Sequence, residues 1–184
     1  MDTARRQIGL STVTVVQGDI TQQRTQAIVN AANSSLMGGG GVDGAIHRAG
    51  GPAILENCKR IVARQGRLPT GKAVITTAGN LFADYVIHTV GPVWKGGQKN
   101  EAALLSDCYA NSLNLAEDNR IAAISFPSIS TGAFGYPVQE AARVAMETVR
   151  KHLETTQVIK EVVFVLFDGQ TLAVYQEALT DLEL

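Results

Sequence analysis

Apolar positions along this chain gather into short runs bounded by turn residues. Residues 12–17 read TVTVVQ, rich in β-branched side chains, and stop at Gly18 and Asp19. Comparable runs occupy 26–30 (QAIVN), 73–77 (AVITT), 85–90 (YVIHTV), 121–126 (IAAISF) and 162–167 (VVFVLF). Runs this short, with turn residues beyond them, predict β-strands. Several are apolar at consecutive positions instead of alternate ones, the pattern of strands covered on both faces.

Segments of helical character lie between these runs. Residues 42–49 follow a glycine run, and 52–65 open on Pro52, which suits a first helical turn. In 101–119, Leu104, Cys108 and Leu115 fall close to one face, with Leu105 at its edge. Residues 138–153 and 171–182 complete the set. Strands alternating with helices predict an α/β sheet with helices on both sides. No composition break, repeat or linker divides 12–184, which reads as one domain. Residues 1–11 read as a loose N-terminal arm.

Composition narrows the function. Of 184 residues, 45% are hydrophobic and 18% charged, which is globular and excludes a largely disordered chain. Sixteen basic and 17 acidic residues leave a net charge of −1, so no electrostatic footprint for gripping nucleic acid non-specifically is present, though a local basic patch stays open. Cys58 and Cys108 are too few for a disulfide scaffold and lack zinc-ligand spacing; they read as reduced thiols of a cytoplasmic protein. No apolar h-region follows Arg5 and Arg6, and no run of membrane-spanning length occurs. No large exposed apolar stripe stands out, so a monomer is expected.

Two stretches are unusual for a bare scaffold. Residues 30–44 read NAANSSLMGGGGVDG, and 128–137 read SISTGAFGYP. Both follow predicted strands, and open α/β sheets bind ligands beyond the carboxyl ends of their strands. Glycines let backbone approach a ligand closely and expose N–H groups to an anion. Facing one another, the two loops would form a cleft suited to a diphosphate. The plainer alternative is that Gly38 to Gly41 form only a flexible turn.

Familiar motifs fail on context. Gly39-x-Gly41-x-x-Gly44 matches a dinucleotide fingerprint, but several residues separate it from its strand and Glu56 comes too early for the ribose acid. The stretch from Gly66 to Lys72 resembles a P-loop, yet Ala73 stands where magnesium needs a hydroxyl, and a strand follows instead of a helix. Ser130 lacks the glycine of a nucleophile elbow. The histidines show no metal spacing. His152 reads as a favourable charge near a helix end. His88 reads as a core histidine within a strand. His47 lies one helical turn after Asp43 and shares its face, either supporting a site or serving structure alone.

The residues GDIT from Gly18, VNAAN from Val29, GGGGVDGAIH from Gly38, HTVGP from His88 and STGAFGYP from Ser130 resemble the macrodomain family. The similarity is to its MacroD-type branch, including small bacterial stand-alone members, and it runs from about Thr12 to Tyr175. It implies a three-layer α/β/α sandwich around a mixed, mostly parallel sheet. It also implies a cleft for ADP-ribose, without metal or cofactor. The implied activity is hydrolysis of ADP-ribose esters, both O-acetyl-ADP-ribose and mono-ADP-ribose on acidic side chains of proteins.

The resemblance assigns roles residue by residue. Asp19 would accept a hydrogen bond from the adenine amino group beside the Ile20 amide, or else cap a turn. Phe167 would pack on the adenine face, or else belong to the core. Ser130, Thr131, Gly132, Ala133, Phe134, Gly135 and Tyr136 match the diphosphate loop, with the amides of Thr131 to Gly135 as donors and Phe134 bordering the distal ribose. Asn30, Gly39, Gly40, Gly41 and Val42 would complete the binding surface. Asn33 and Asp43 match the catalytic pair. Asn33 can bond ribose hydroxyls through both ends of its amide. Asp43 would organise the attacking water, or else cap the following helix. Whether Asp43 or the substrate's phosphate takes the proton stays open. Gly50 is a departure, since relatives often carry alanine there, and it predicts a looser helix end. An enzyme is the leading expectation. A non-catalytic reader of ADP-ribose and a regulatory, protein- or RNA-associated module are the alternatives.

Overall fold

The computed structural model describes residues 3–184. Strand β1 spans Ala4–Ile8, β2 Ser11–Gln17, β3 Ala27–Ala31, β4 Ala73–Thr77, β5 Tyr85–Thr89, β6 Ala123–Phe126 and β7 Glu161–Leu166. Helix α1 spans Gly41–Gly50, α2 Pro52–Gln65, α3 Glu101–Asp118, α4 Val138–Leu153 and α5 Gly169–Thr180. A short 3-10 turn, Ile20–Gln22, follows β2. The strands form one sheet in the order β1-β2-β7-β6-β3-β5-β4. The inner five run parallel to one another, while β1 and β4 pair antiparallel at the edges.

Helices cover both faces because consecutive strand residues point to opposite sides. In β7, Val162, Phe164 and Leu166 join the core under α3, α4 and α5, while Val163 and Val165 join the core under α1 and α2. This is the α/β/α sandwich with a mixed, mostly parallel sheet. Among the described residues, no helix is long and apolar enough to cross a membrane.

Three local readings change. The first residues are not a loose arm: Ala4–Ile8 pairs along its whole length with β2, and Ile8 is buried. The consecutive polar residues Arg5, Arg6 and Gln7 hid the strand, since an edge needs no apolar run; residues 1–2 lie outside the described region. In α3 the buried line is Leu105, Cys108, Tyr109, Ser112, Leu113 and Ala116, so Leu104 and Leu115 take the edge instead. At Gly50, a Cβ would collide with Ile54 Cδ1 and stand 3.2 Å from the Ala78 carbonyl oxygen. That glycine packs closely against Ile54 of α2, so an alanine there would have to displace the isoleucine side chain.

Candidate active site

A cleft of about 760 Å³ opens at the carboxyl ends of the parallel strands. Its walls come from the segments after β2, β3, β5, β6 and β7, together with α1. The adenine-side candidates stand together. Asp19 Oδ1 accepts from the Thr21 amide at 2.9 Å and its hydroxyl at 2.7 Å, capping the 3-10 turn. The turn-cap reading is therefore correct for one oxygen, and Oδ2 has no hydrogen-bond partner among the described residues. Ile20 lines the cleft beside it. Phe167 is 85% exposed and lines the same end, which removes the core alternative.

The glycine loop brings the predicted pair together. A Cβ on Gly39 would lie 3.2 Å from Asp43 Oδ2 and 3.3 Å from Asn33 Nδ2. The carboxylate and the amide thus converge over a glycine where a side chain would crowd both. Gly40, Gly41 and Val42 line the cleft next to them. Gly40, not Asp43, is the N-cap of α1, so Asp43 is a first-turn residue with another task. It is 6% exposed, and its Oδ1 accepts from Asn30 Nδ2 at 2.8 Å. His47 Nε2 lies 3.5 Å from the same oxygen without a hydrogen bond.

The amide of Asn33 has less freedom than its residue type suggests. Its Oδ1 accepts from the Ser35 amide and hydroxyl, and Nδ2 donates to the Gly38 carbonyl at 2.7 Å. Two acceptances fill the oxygen, so one N–H remains for a ligand and the two-ended reading does not hold.

Asn30 was expected in the binding surface and lies behind it. It is fully buried and bonds Asp43 and His88. His88 is the core histidine its strand position predicted. Burial, then the neighbouring His47, pushes its pKa down to about 3, so it is neutral. Cys58 Sγ sits 3.9 Å from His88 Nε2, and burial, then the Asp43 charge, pushes that thiol up to about 11. Ligand atoms of His47, Cys58 and His88 lie within 4.8 Å of one another, but both His88 nitrogens are already hydrogen-bonded.

The second loop supplies the opposite wall. Ser130 sits at φ 67°, a left-handed conformation that a side-chain-bearing residue adopts at a cost. Its hydroxyl is buried and unpaired, and Gly91 gives it room, since a Cβ there would collide with Ser130 Oγ. Thr131, Gly132, Ala133 and Phe134 line the cleft. Gly135 and Tyr136 do not. The Gly135 amide donates to Gly132 O at 3.0 Å, and the Tyr136 amide to Ser130 O at 2.9 Å. Their donors are spent closing the loop. Tyr136 packs on Trp94, ring centroids 4.6 Å apart, while the Trp94 amide holds the Phe134 carbonyl at 2.9 Å.

Sequence reasoning missed several wall residues. Arg48 borders the cleft, its Nη1 2.9 Å from where a Gly44 Cβ would stand. Nothing distinguishes it in sequence from a solvated helix cation. Asp168 and Thr171, at the start of α5, complete the end near Phe167. Asp168 Oδ1 accepts from the Thr171 amide at 2.8 Å, an N-cap pattern readable from their spacing.

Backbone amides and a buried carboxylate surround a cleft at the strand ends of this α/β sheet, a setting chemically suited to a phosphate-bearing ligand. The chain belongs to the macro domain family, whose model matches residues 29–145. It is 57% identical over 171 residues to a macro domain-containing protein of Caldanaerobacter subterraneus subsp. tengcongensis, covering 93% of this chain and 97% of that one. It is 56% identical over 170 residues to an O-acetyl-ADP-ribose deacetylase of Salmonella typhimurium, covering 92% and 95%. Its fold matches a mutant Oceanobacillus iheyensis macrodomain solved with ADPR at a TM-score of 0.93 and 43% identity, covering 97% of both chains.

Proposed function

We propose that this protein binds ADP-ribose and hydrolyses ADP-ribose esters. O-acetyl-ADP-ribose yields ADP-ribose and acetate, and mono-ADP-ribose is removed from acidic side chains of proteins. The observation that carries the reading is the convergence of Asp43 Oδ2 and Asn33 Nδ2 on Gly39 at the cleft wall. A module that only held ADP-ribose would not need a buried carboxylate there. The Salmonella relative named as a deacetylase supports the chemistry, and the Oceanobacillus structure with ADPR supports the ligand.

Adenine enters between Asp19 and Phe167. The Asp19 carboxylate selects the adenine amino group, because a base presenting a carbonyl there would set two acceptors against each other. The diphosphate lies across the amides of Thr131 to Phe134, whose loop is already braced from within. The distal ribose meets Asn33 and Phe134. A water held by Asp43 attacks the ester, and the carboxylate orients it or takes its proton. Asn30 holds Asp43 from behind, so only Oδ2 is turned toward the glycine loop. The protein acts without metal, as a cytoplasmic monomer.

The test is release of ADP-ribose from O-acetyl-ADP-ribose and from a protein mono-ADP-ribosylated on glutamate. D43A should lose about 10²-fold or more in turnover, the scale of a positioned acid–base group, and keep its ADP-ribose affinity. Binding of ADP-ribose without turnover by the wild type would make the chain a reader instead.

A further inference from the structure

Beneath Asp43 a line of polar side chains crosses the sheet. Asn30 of β3 and His88 of β5 are direct cross-strand partners. Thr76, on edge strand β4, faces the same side. Exposure along the line is 0% at Asn30, 0% at His88 and 3% at Thr76. Asp43 Oδ1 accepts from Asn30 Nδ2 at 2.8 Å, and Asn30 Nδ2 lies 3.1 Å from His88 Nδ1. His88 Nε2 lies 2.8 Å from Thr76 Oγ1, which donates to the Thr77 carbonyl at 2.9 Å.

Both ends of this line can only accept: a carboxylate at one, a backbone carbonyl at the other. One assignment of the protons satisfies each of these contacts, with Cys58 Sγ standing beside the ring at 3.9 Å from Nε2. The Thr76 hydroxyl spends its hydrogen on Thr77, so it accepts from His88 Nε2–H. His88 Nδ1 is then a bare acceptor, and the second Asn30 Nδ2 hydrogen goes to it. Asn30 Oδ1 has no partner, although buried. The orientation of that amide is therefore set at its nitrogen end alone. With the proton on Nδ1 instead, Asn30 would turn its oxygen toward His88 and also toward Asp43, setting two acceptors against each other.

We propose that His88, with Thr76 behind it, is a positioning residue that selects the amide orientation of Asn30 and thereby holds the Asp43 carboxylate. This rests on the reading of Asp43 as the group that organises the attacking water. It assigns a function to a histidine remote from the cleft wall: its tautomer, not its charge, is what counts.

H88L removes a buried ring and puts the fold at risk, so T76V is the decisive variant. It keeps the shape and removes the acceptor from Nε2–H. The ring nitrogens of His88 are read by 15N NMR, alongside kcat and KM for O-acetyl-ADP-ribose and the ADP-ribose affinity. In the wild type the proton lies on Nε2. T76V should move it to Nδ1 and lower kcat about tenfold, the scale of one charge-assisted hydrogen bond, with KM and ADP-ribose affinity unchanged. T76S, which keeps the hydroxyl, should restore the tautomer and kcat. An Nδ1 proton in the wild type, a wild-type kcat or unmoved proton in T76V, or an equal loss in T76S overturns the proposal. An inactive D43A beside a fully active T76V would remove the role of His88 and leave that of Asp43 standing. A fully active D43A would remove both.

Discussion

The substitution G39A isolates the geometry of the candidate site from its chemistry, because it alters no functional group. The added methyl would stand 3.2 Å from Asp43 Oδ2 and 3.3 Å from Asn33 Nδ2. Comfortable carbon contacts begin at about 3.5 Å, so each neighbour must retreat by roughly 0.2–0.5 Å. Each can yield only by turning within its own hydrogen bonds. Asp43 is tied through Oδ1 to Asn30, and Asn33 is tied to Gly38 and Ser35. The two groups therefore spread, by about half an ångström together. A displacement of 1 Å at a reacting geometry costs about 10²-fold, so half of that predicts a loss of about tenfold in kcat. Stability should not fall. Gly39 is exposed and its backbone is not left-handed, so alanine should leave the melting temperature unchanged or raise it slightly. The assay is steady-state release of acetate from O-acetyl-ADP-ribose, with thermal melting on the same samples. Undiminished kcat in a folded G39A would refute the convergence of Asp43 and Asn33 as the working geometry.

Two further effects follow from burial and charge. F167A should weaken ADP-ribose binding about tenfold by calorimetry, from the roughly 1–3 kcal/mol of a base–aromatic stack, and leave the melting temperature alone because the ring is 85% exposed; equal affinity would remove Phe167 from the adenine site. The second concerns acid stability. Burial works to raise the Glu101 carboxyl, but backbone amides of Gly97, Lys95 and Lys99 hold it below its ordinary value of 4.5. A lowered folded-state value gives stability that is complete above pH 4.5 and lost as the pH falls through that lowered value. Melting curves of E101Q should therefore fall less steeply with acid than those of wild type, and parallel curves would discount the contact.

Much of this architecture was readable because its strands are short, apolar and parallel. The runs at 73–77 and the helices at 52–65 and 138–153 match their elements to the residue. β1 was hidden because its polar residues Arg5, Arg6 and Gln7 run consecutively, which an edge strand tolerates. The α3 stripe shifted by one position because a large buried aromatic, Tyr109, pulls the helix face toward Phe126 and Phe164. The cleft itself was legible where backbone glycines and a carboxylate had to coincide. Asn30 and its neighbours were not. Their contacts depend on β3, β5 and β4 lying side by side, and no local pattern encodes that order. Gly135 and Tyr136 carry the right loop sequence, yet their amides are consumed by turn closure, which only coordinates reveal.

The strand order also has a consequence for the timing of assembly. β2 bonds only to β1 and β7, so the first hairpin of the chain joins the rest of the sheet through its last strand. Arg6 in that hairpin donates to the Leu179 carbonyl at 2.8 Å, binding the beginning of the chain to the end of α5. Contacts this distant in sequence form late. Asp19 follows β2 directly and Phe167 follows β7, so that end of the cleft cannot be complete on a nascent chain until residues beyond 161 have been synthesised. The glycine loop and Asp43, contained between β3 and α1, are complete much earlier. On the proposed assignment, a translating ribosome would thus carry the residues of the hydrolytic half of the site before the half that identifies the nucleotide.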